Sequence, residues 1–216
     1  MADIFREVDD DLAQERAERF WKRFRTPILT LAVLIVVGAG AWRVYDQQRI
    51  KAAEEAGARF QAAVQLSREG KLKEAEAALG DIAKSGPAGY GVLAKFRAAG
   101  DMSAEDADGA VKIFDALAAD AAIDAGLREL ARMRAAILRL DQADAGELQR
   151  RLEPLAQAGQ TYRYTARELL AVAALKRNDF DAAGKWLDMI VTDGNAPAEI
   201  RQRAEALLSL VAGGKK

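Results

Sequence analysis

The chain has 216 residues, no cysteine and no histidine, and 32 basic residues against 33 acidic ones. Without cysteine there are no disulfides, thiol nucleophiles or thiolate metal sites. Without histidine the commonest general base and the commonest zinc ligand are missing. The charges also balance on either side of the first apolar run, so the basic excess that a phosphate backbone needs is lacking and nucleic acid is not an expected partner.

Residues 1–25, MADIFREVDDDLAQERAERFWKRFR, are expected to be helical. Ile4, Val8 and Leu12 recur every four residues and give a narrow apolar stripe. Acidic residues gather toward the start and basic ones toward the end, which suits the helix dipole. Two readings stay open for this segment: a solvated juxtamembrane helix whose basic end meets anionic lipid, or a docking segment for a cytoplasmic or membrane partner.

Residues 26–45, TPILTLAVLIVVGAGAWRVY, carry no charge from Thr26 through Trp42. A helix of that length spans about 25 Å, close to the bilayer core of roughly 30 Å. The flanking arginines can snorkel to close the difference. A transmembrane anchor is therefore expected, with an interface set of Trp21, Lys22, Arg23, Arg25, Trp42, Arg43 and Tyr45. Basic residues are denser at the N-terminal end, which places the N-terminus in the cytoplasm and residues 46–216 across the membrane. A cleaved signal peptide is the competing reading, with Ala39-Gly40-Ala41 as the small-residue site. Against it, the stretch before the apolar run is long and rich in acids, including Asp9, Asp10 and Asp11.

Residues 46–216 read as a succession of helices. A helix continues after the anchor and stops at Gly70; the next carries Leu72, Ala75, Leu79 and Ile82 on one face and ends at Gly86-Pro87. A short helix over Gly89–Ala99 follows. Ser103 is the expected cap of the helix bearing Ala107, Ala110, Val111, Phe114 and Leu117, with Asp106 completing an imperfect capping box. Asp124–Leu140 carries Leu127, Leu130, Ala131, Ile137 and Leu138. Asp144 caps a helix with Leu148, Leu152 and Leu155, which Pro154 should bend or shorten. Thr161–Lys176 carries Tyr164, Leu169, Leu170, Ala173 and Ala174; beyond the Asn178-Asp179 turn come Phe180, Ala183, Trp186, Leu187 and Ile190. The last helix follows Pro197 and presents Ile200, Ala204, Leu207, Leu208 and Val211. Alternating β-branched runs are missing, and the prolines fall mostly at helix boundaries.

A repeat underlies this succession. EGKLKEAEAAL and RNDFDAAGKWL share turn residues, an apolar residue, a small residue and a leucine at matching offsets. Their alanines, Ala75 and Ala183, stand three steps of about 36 residues apart, near the period of roughly 34 that marks tetratricopeptide repeats. Ala110 and Leu148 fill the intermediate slots. The small residue allows close approach of the two helices of a hairpin. The expected fold is all-α: one N-terminal transmembrane helix, a degenerate tetratricopeptide-like solenoid of about four hairpins, and a C-terminal capping helix. A generic helical bundle is the alternative. On the first helix of the last hairpin, Thr165, Glu168 and Val172 are candidate partner-binding residues, with ordinary solvated helix surface as the other reading. A clamp for acidic C-terminal tails would resemble a cradle of helix Asn and Lys residues; the only asparagines here, Asn178 and Asn195, fall in turns.

The acidic start DIFREVDDDL, the basic-aromatic ERFWKRFR, one span and a degenerate repeat region together resemble the bacterial ancillary SecYEG translocon subunit family. The resemblance covers nearly the whole chain, and its start is the most specific part. It implies an inner-membrane protein with a periplasmic repeat domain. Its protein partners would be translocon subunits, periplasmic chaperones and exported clients. Apart from the resemblance, no cofactor and no small-molecule substrate is expected. Anchored scaffolds of cytochrome maturation, envelope assembly or cell-division coordination share this layout, as do organelle import receptors with a cytosolic domain. An anchored carboxylate-dependent hydrolase is the reading from another class. It lacks a phosphate loop, a nucleophile elbow and metal-ligand spacing.

Overall fold

The computed structural model describes residues 2–142 and 144–214; side chains are described for Trp21 and from Arg25 onward, apart from Ile28, Ala32, Ala88 and Ala145. Among the described residues there are nine α-helices and one 3-10 turn, and no strand. The helices are α1 (Ala2–Arg68), α2 (Leu72–Ser85), α3 (Ala88–Met102), α4 (Ala107–Ala119), α5 (Ala125–Arg139), α6 (Ala145–Leu152), α7 (Arg163–Lys176), α8 (Phe180–Val191) and α9 (Ala198–Gly214). The chain divides into two compact units, Met1–Glu54 and Glu55–Lys216.

The described residues of the first unit all belong to α1. Pro27 lies inside this helix and not at its boundary. Proline fixes φ near the helical value and removes one backbone bond, which a long helix absorbs. The apolar side chains of the stretch have nothing to cover them: Leu29 is 64 % exposed, Val36 71 % and Trp42 69 %. The stretch is long and apolar enough to cross a membrane, by length and composition.

The second unit stacks helices in sequence order. Each helix packs on the next, the end of α1 on α2 and most extensively α2 on α3, α4 on α5 and α7 on α8, and α9 closes the row against α8. By position in the repeat the hairpins are the end of α1 with α2, α3 with α4, α5 with α6 and α7 with α8. Its core is a chain of four apolar clusters. Ala63, Leu79, Ile82 and Ala94 join α1, α2 and α3. Ala99, Ala110, Phe114 and Ala131 join α3, α4 and α5, with the Phe96 and Phe114 rings 5.7 Å apart. Met133, Ala136, Leu152, Leu155 and Ala166 join α5 through α7. Ala171, Ala183, Leu187 and Ala204 join α7, α8 and α9. Each first helix of a hairpin therefore lends one face to the cluster before it and another to the cluster after it.

That sandwiching changes which residues are inside. In α5 the expected stripe is only partly inside: Ala131 is buried and Leu127 and Leu138 pack at the edge of the core, but Ile137 is 42 % exposed, and Met133, Ala135 and Ala136 are buried instead. A helix covered on two sides leaves little room, so alanines take the centre and the larger aliphatics the edges.

The helix ends follow local chemistry. Asp106, not Ser103, caps α4: its carboxylate accepts from the Gly109 N–H at 2.8 Å. Ser103 closes α3, and its hydroxyl donates to the Gly100 carbonyl. Asp124, Asp144 and Asp179 cap α5, α6 and α8 in the same way as Asp106. Pro154 cuts α6 short at Leu152, and Glu153–Ala156 continues as the 3-10 turn. The repeat shows in its turns too. Gly70 and Asn178 end α1 and α7 with positive φ, 77° and 58°. Glycine accepts that conformation without penalty and asparagine more readily than most residues.

Ala75 and Ala183 are wholly buried at matching positions of the first and last hairpins. Ala75→Trp or Ala183→Trp should lower stability by about 1–3 kcal/mol through overpacking, read as a drop in melting temperature. Unchanged melting of both variants would mean that neither alanine lies at a close helix contact.

Candidate partner-binding surface

Thr165, Glu168 and Val172 all lie on α7 and are half-buried. Glu168 is engaged within the fold: Arg203 of α9 forks onto its carboxylate, with Nε to Oε1 at 2.7 Å and Nη2 to Oε2 at 2.8 Å. Of the interface set, Trp21, Arg25, Trp42, Arg43 and Tyr45 are exposed along α1. The Trp42 and Tyr45 rings lie 6.2 Å apart. The side chains of Lys22 and Arg23 fall outside the described residues.

The Arg203–Glu168 pair is one of a series. Ser67 donates to Asp101 at 2.5 Å, across 34 residues. Arg151 forks onto Asp115 across 36, and Lys176 pairs with Asp141 across 35, the same separation as Arg203 and Glu168. Each joins positions about one repeat apart, helix to helix except at Asp141, which lies in the turn after α5, so each polar rung spans about one period. Glu147 sits between two guanidiniums, accepting from Arg151 Nε at 2.9 Å and Arg139 Nε at 3.2 Å. Arg151 first, with help from Arg139, holds the Glu147 carboxyl below the usual glutamate range.

Sequence reasoning missed Arg167. It is 6 % exposed, and no other polar or charged residue is buried among those described. Its Nε donates to the Ala156 carbonyl and its Nη1 to the Met189 carbonyl, both at 2.9 Å. Those carbonyls end the 3-10 turn and approach the end of α8, where the helix dipole favours a cation. Arg163 stacks over the Tyr164 ring at 4.1 Å. Asp193 lies nearby, its carboxyl held low by the Asn195 backbone N–H and then by the Tyr164 hydroxyl. A lone arginine amid helix positions gives no sign in the sequence of the carbonyls it will meet.

An open groove of about 820 Å³ lies between α2 and α4, over α3. Ala77, Gly80, Ala94, Ala98, Ile113 and Ala116 line it, and lysines stand around it. Among the described residues, no group of acidic side chains is arranged to hold a metal ion.

Stacked antiparallel hairpins with a repeat near 35 residues define a helical-repeat scaffold, a class whose surfaces serve protein–protein interaction. Residues 18–168 match the tetratricopeptide repeat-like domain family, and the chain belongs to that family. The match takes in the long apolar stretch and ends within α7. No curated protein and no solved structure matches the chain.

Two outcomes follow for Arg167 and Glu147. Arg167→Met leaves two buried carbonyls without a donor and should destabilise by about 1–3 kcal/mol. Arg167→Lys should recover only part, because an ammonium lacks the fork that serves both carbonyls; full recovery in denaturant titrations would refute the two-carbonyl role. The depressed Glu147 pKa contributes stability that is complete above the ordinary glutamate value of about 4.3. That contribution is lost as pH falls through the lowered value. The wild-type melting temperature should therefore fall more steeply below about pH 4.3 than that of Glu147→Gln. Parallel curves would leave Glu147 without this role.

Proposed function

We propose that this protein is a membrane-anchored scaffold for protein partners, acting as an ancillary subunit beside the protein-translocation channel of a bacterial inner membrane. In this reading residues 1–25 are cytoplasmic, 26–45 span the bilayer, and 46–216 form the periplasmic repeat domain. That domain hands exported proteins to periplasmic chaperones. The observation that carries the reading is the uncovered apolar stretch of α1 in a chain of the tetratricopeptide repeat-like family. Trp21 at one end and Trp42 and Tyr45 at the other suit two membrane interfaces. The acidic start and basic-aromatic approach that resemble the translocon family support the finer assignment.

Tethering gives the assignment its physical sense. A scaffold fixed to one membrane meets its partners at raised effective concentration, so weak contacts suffice without catalytic chemistry. Thr165, Glu168 and Val172 are the proposed contact positions on α7, with Glu168 reaching a partner only together with Arg203.

The test is crosslinking in membranes from a photoreactive residue at position 165. Translocon subunits and periplasmic chaperones should be recovered. Recovery of division or haem-lyase components instead would move the scaffold to another envelope pathway. Alkaline carbonate should leave the protein in the pellet, and a tag after Lys216 should be open to protease in spheroplasts. Release by carbonate would overturn the anchor, and protection of the tag would overturn the periplasmic placement.

A further inference from the structure

The groove between α2 and α4 is assigned no role by the fold. Lys73, Ala77, Gly80 and Lys84 share one face of α2 at helical spacing. Lys112 stands on α4 and Lys95 on α3. All four lysines are exposed, and none makes an ion pair among the described residues. Only two carboxylates, Glu76 and Asp81, share the lining with them. Arg97, Arg139, Arg151, Lys176 and Arg203 of the same domain hold carboxylates of the chain. Around this groove four lysines face two carboxylates, so the charge of its rim is positive.

Gly80 adds a second observation. It sits mid-helix, where glycine is unfavourable relative to alanine. A Cβ built there meets nothing within 4 Å. No neighbour within the chain requires the missing side chain, so a larger residue there has room to project into the groove.

We propose that this groove docks a single amphipathic helix of a partner protein, with apolar side chains on the floor and carboxylates on its flanks against the lysines. The inference rests on the scaffold reading. From Lys73 to Lys84 the wall runs about 16 Å, three helical turns, which suits a helix of that length. The other peptide modes fit less well. Strand addition needs a free sheet edge, and proline-rich peptides need an aromatic-lined groove. The walls here are helices, and no aromatic residue lines them.

The experiment uses the full chain in lipid nanodiscs. The probe is a fluorescent synthetic helix of about 16 residues, roughly 24 Å long, with leucines on one face and glutamates on both flanks. A twin carries lysines in place of the glutamates. The acidic probe should bind at least about tenfold more tightly than its twin, a difference near 1.4 kcal/mol. Gly80→Leu fills the groove, and Lys84→Glu with Lys112→Glu reverses its rim. Each variant should weaken the acidic probe about tenfold or more, and Gly80→Leu should do so with a melting temperature no lower than the wild type, because leucine replaces a mid-helix glycine. Equal binding of the two probes, or unaltered affinity of Gly80→Leu, would overturn the proposal. So would self-association of the full chain that Gly80→Leu abolishes, which would give the groove to a second copy. Crosslinks from position 165 that persist in Gly80→Leu would then leave the scaffold reading standing while the groove assignment falls.

Discussion

Close contact between helix backbones, allowed by alanine, is the constraint on which this domain depends. Most of its buried residues are alanines. An alanine core gives little transfer free energy per residue, since each side chain removes only one methyl from water. What it gives instead is geometry: helices stand near one another on two sides, and their leucines and phenylalanines fill the remaining gaps. Ala75, Ala110 and Ala183 mark that approach within hairpins, and Ala99, Ala136 and Ala171 mark it between them.

Polar rungs set the register of the stack. Apolar contact is non-directional, and two helices with alanine faces could slide along each other at small cost. A fork such as Arg151 on Asp115 tolerates no such slide. Because each rung joins residues about one repeat apart, the chain's period is written twice, in its small residues and in its charges. Exposed ion pairs contribute little to stability individually, so registration is the more physical description of what they do.

Much of this was legible beforehand. Helix number, the hairpin turns at Gly70 and Asn178, the uncharged run from Thr26 to Trp42 and the matching alanines are all local or periodic signals. The misses share one cause. A stripe read along α5 assumes one buried face, whereas α5 has two, and the pattern of Ala131, Met133, Ala135 and Ala136 satisfies both at once. The cap of α4 turned on whether a hydroxyl or a carboxylate reached Gly109 first, and Asp106 is the nearer residue. The rung partners of Glu168 and Asp115 lie about 35 residues away and depend on the stack being formed. The same holds for the lysine-rimmed groove: Lys73 and Lys112 become neighbours of one cavity only after α2, α3 and α4 have met.

Arg167 has a bearing on how the stack comes apart. Helical-repeat chains unravel piecemeal when each unit touches only its neighbours through interchangeable apolar faces. Here one guanidinium is tied at once to the 3-10 segment that closes the third hairpin and to the second helix of the fourth. Separating those two hairpins breaks the Arg167 bond to the Ala156 carbonyl, while the bond to Met189 stays within the fourth. Trp186, wedged against the clusters on either side, adds to the same seam. The boundary between the third and fourth hairpins is thereby held by a directional bond as well as by apolar contact, and the two units are expected to open together.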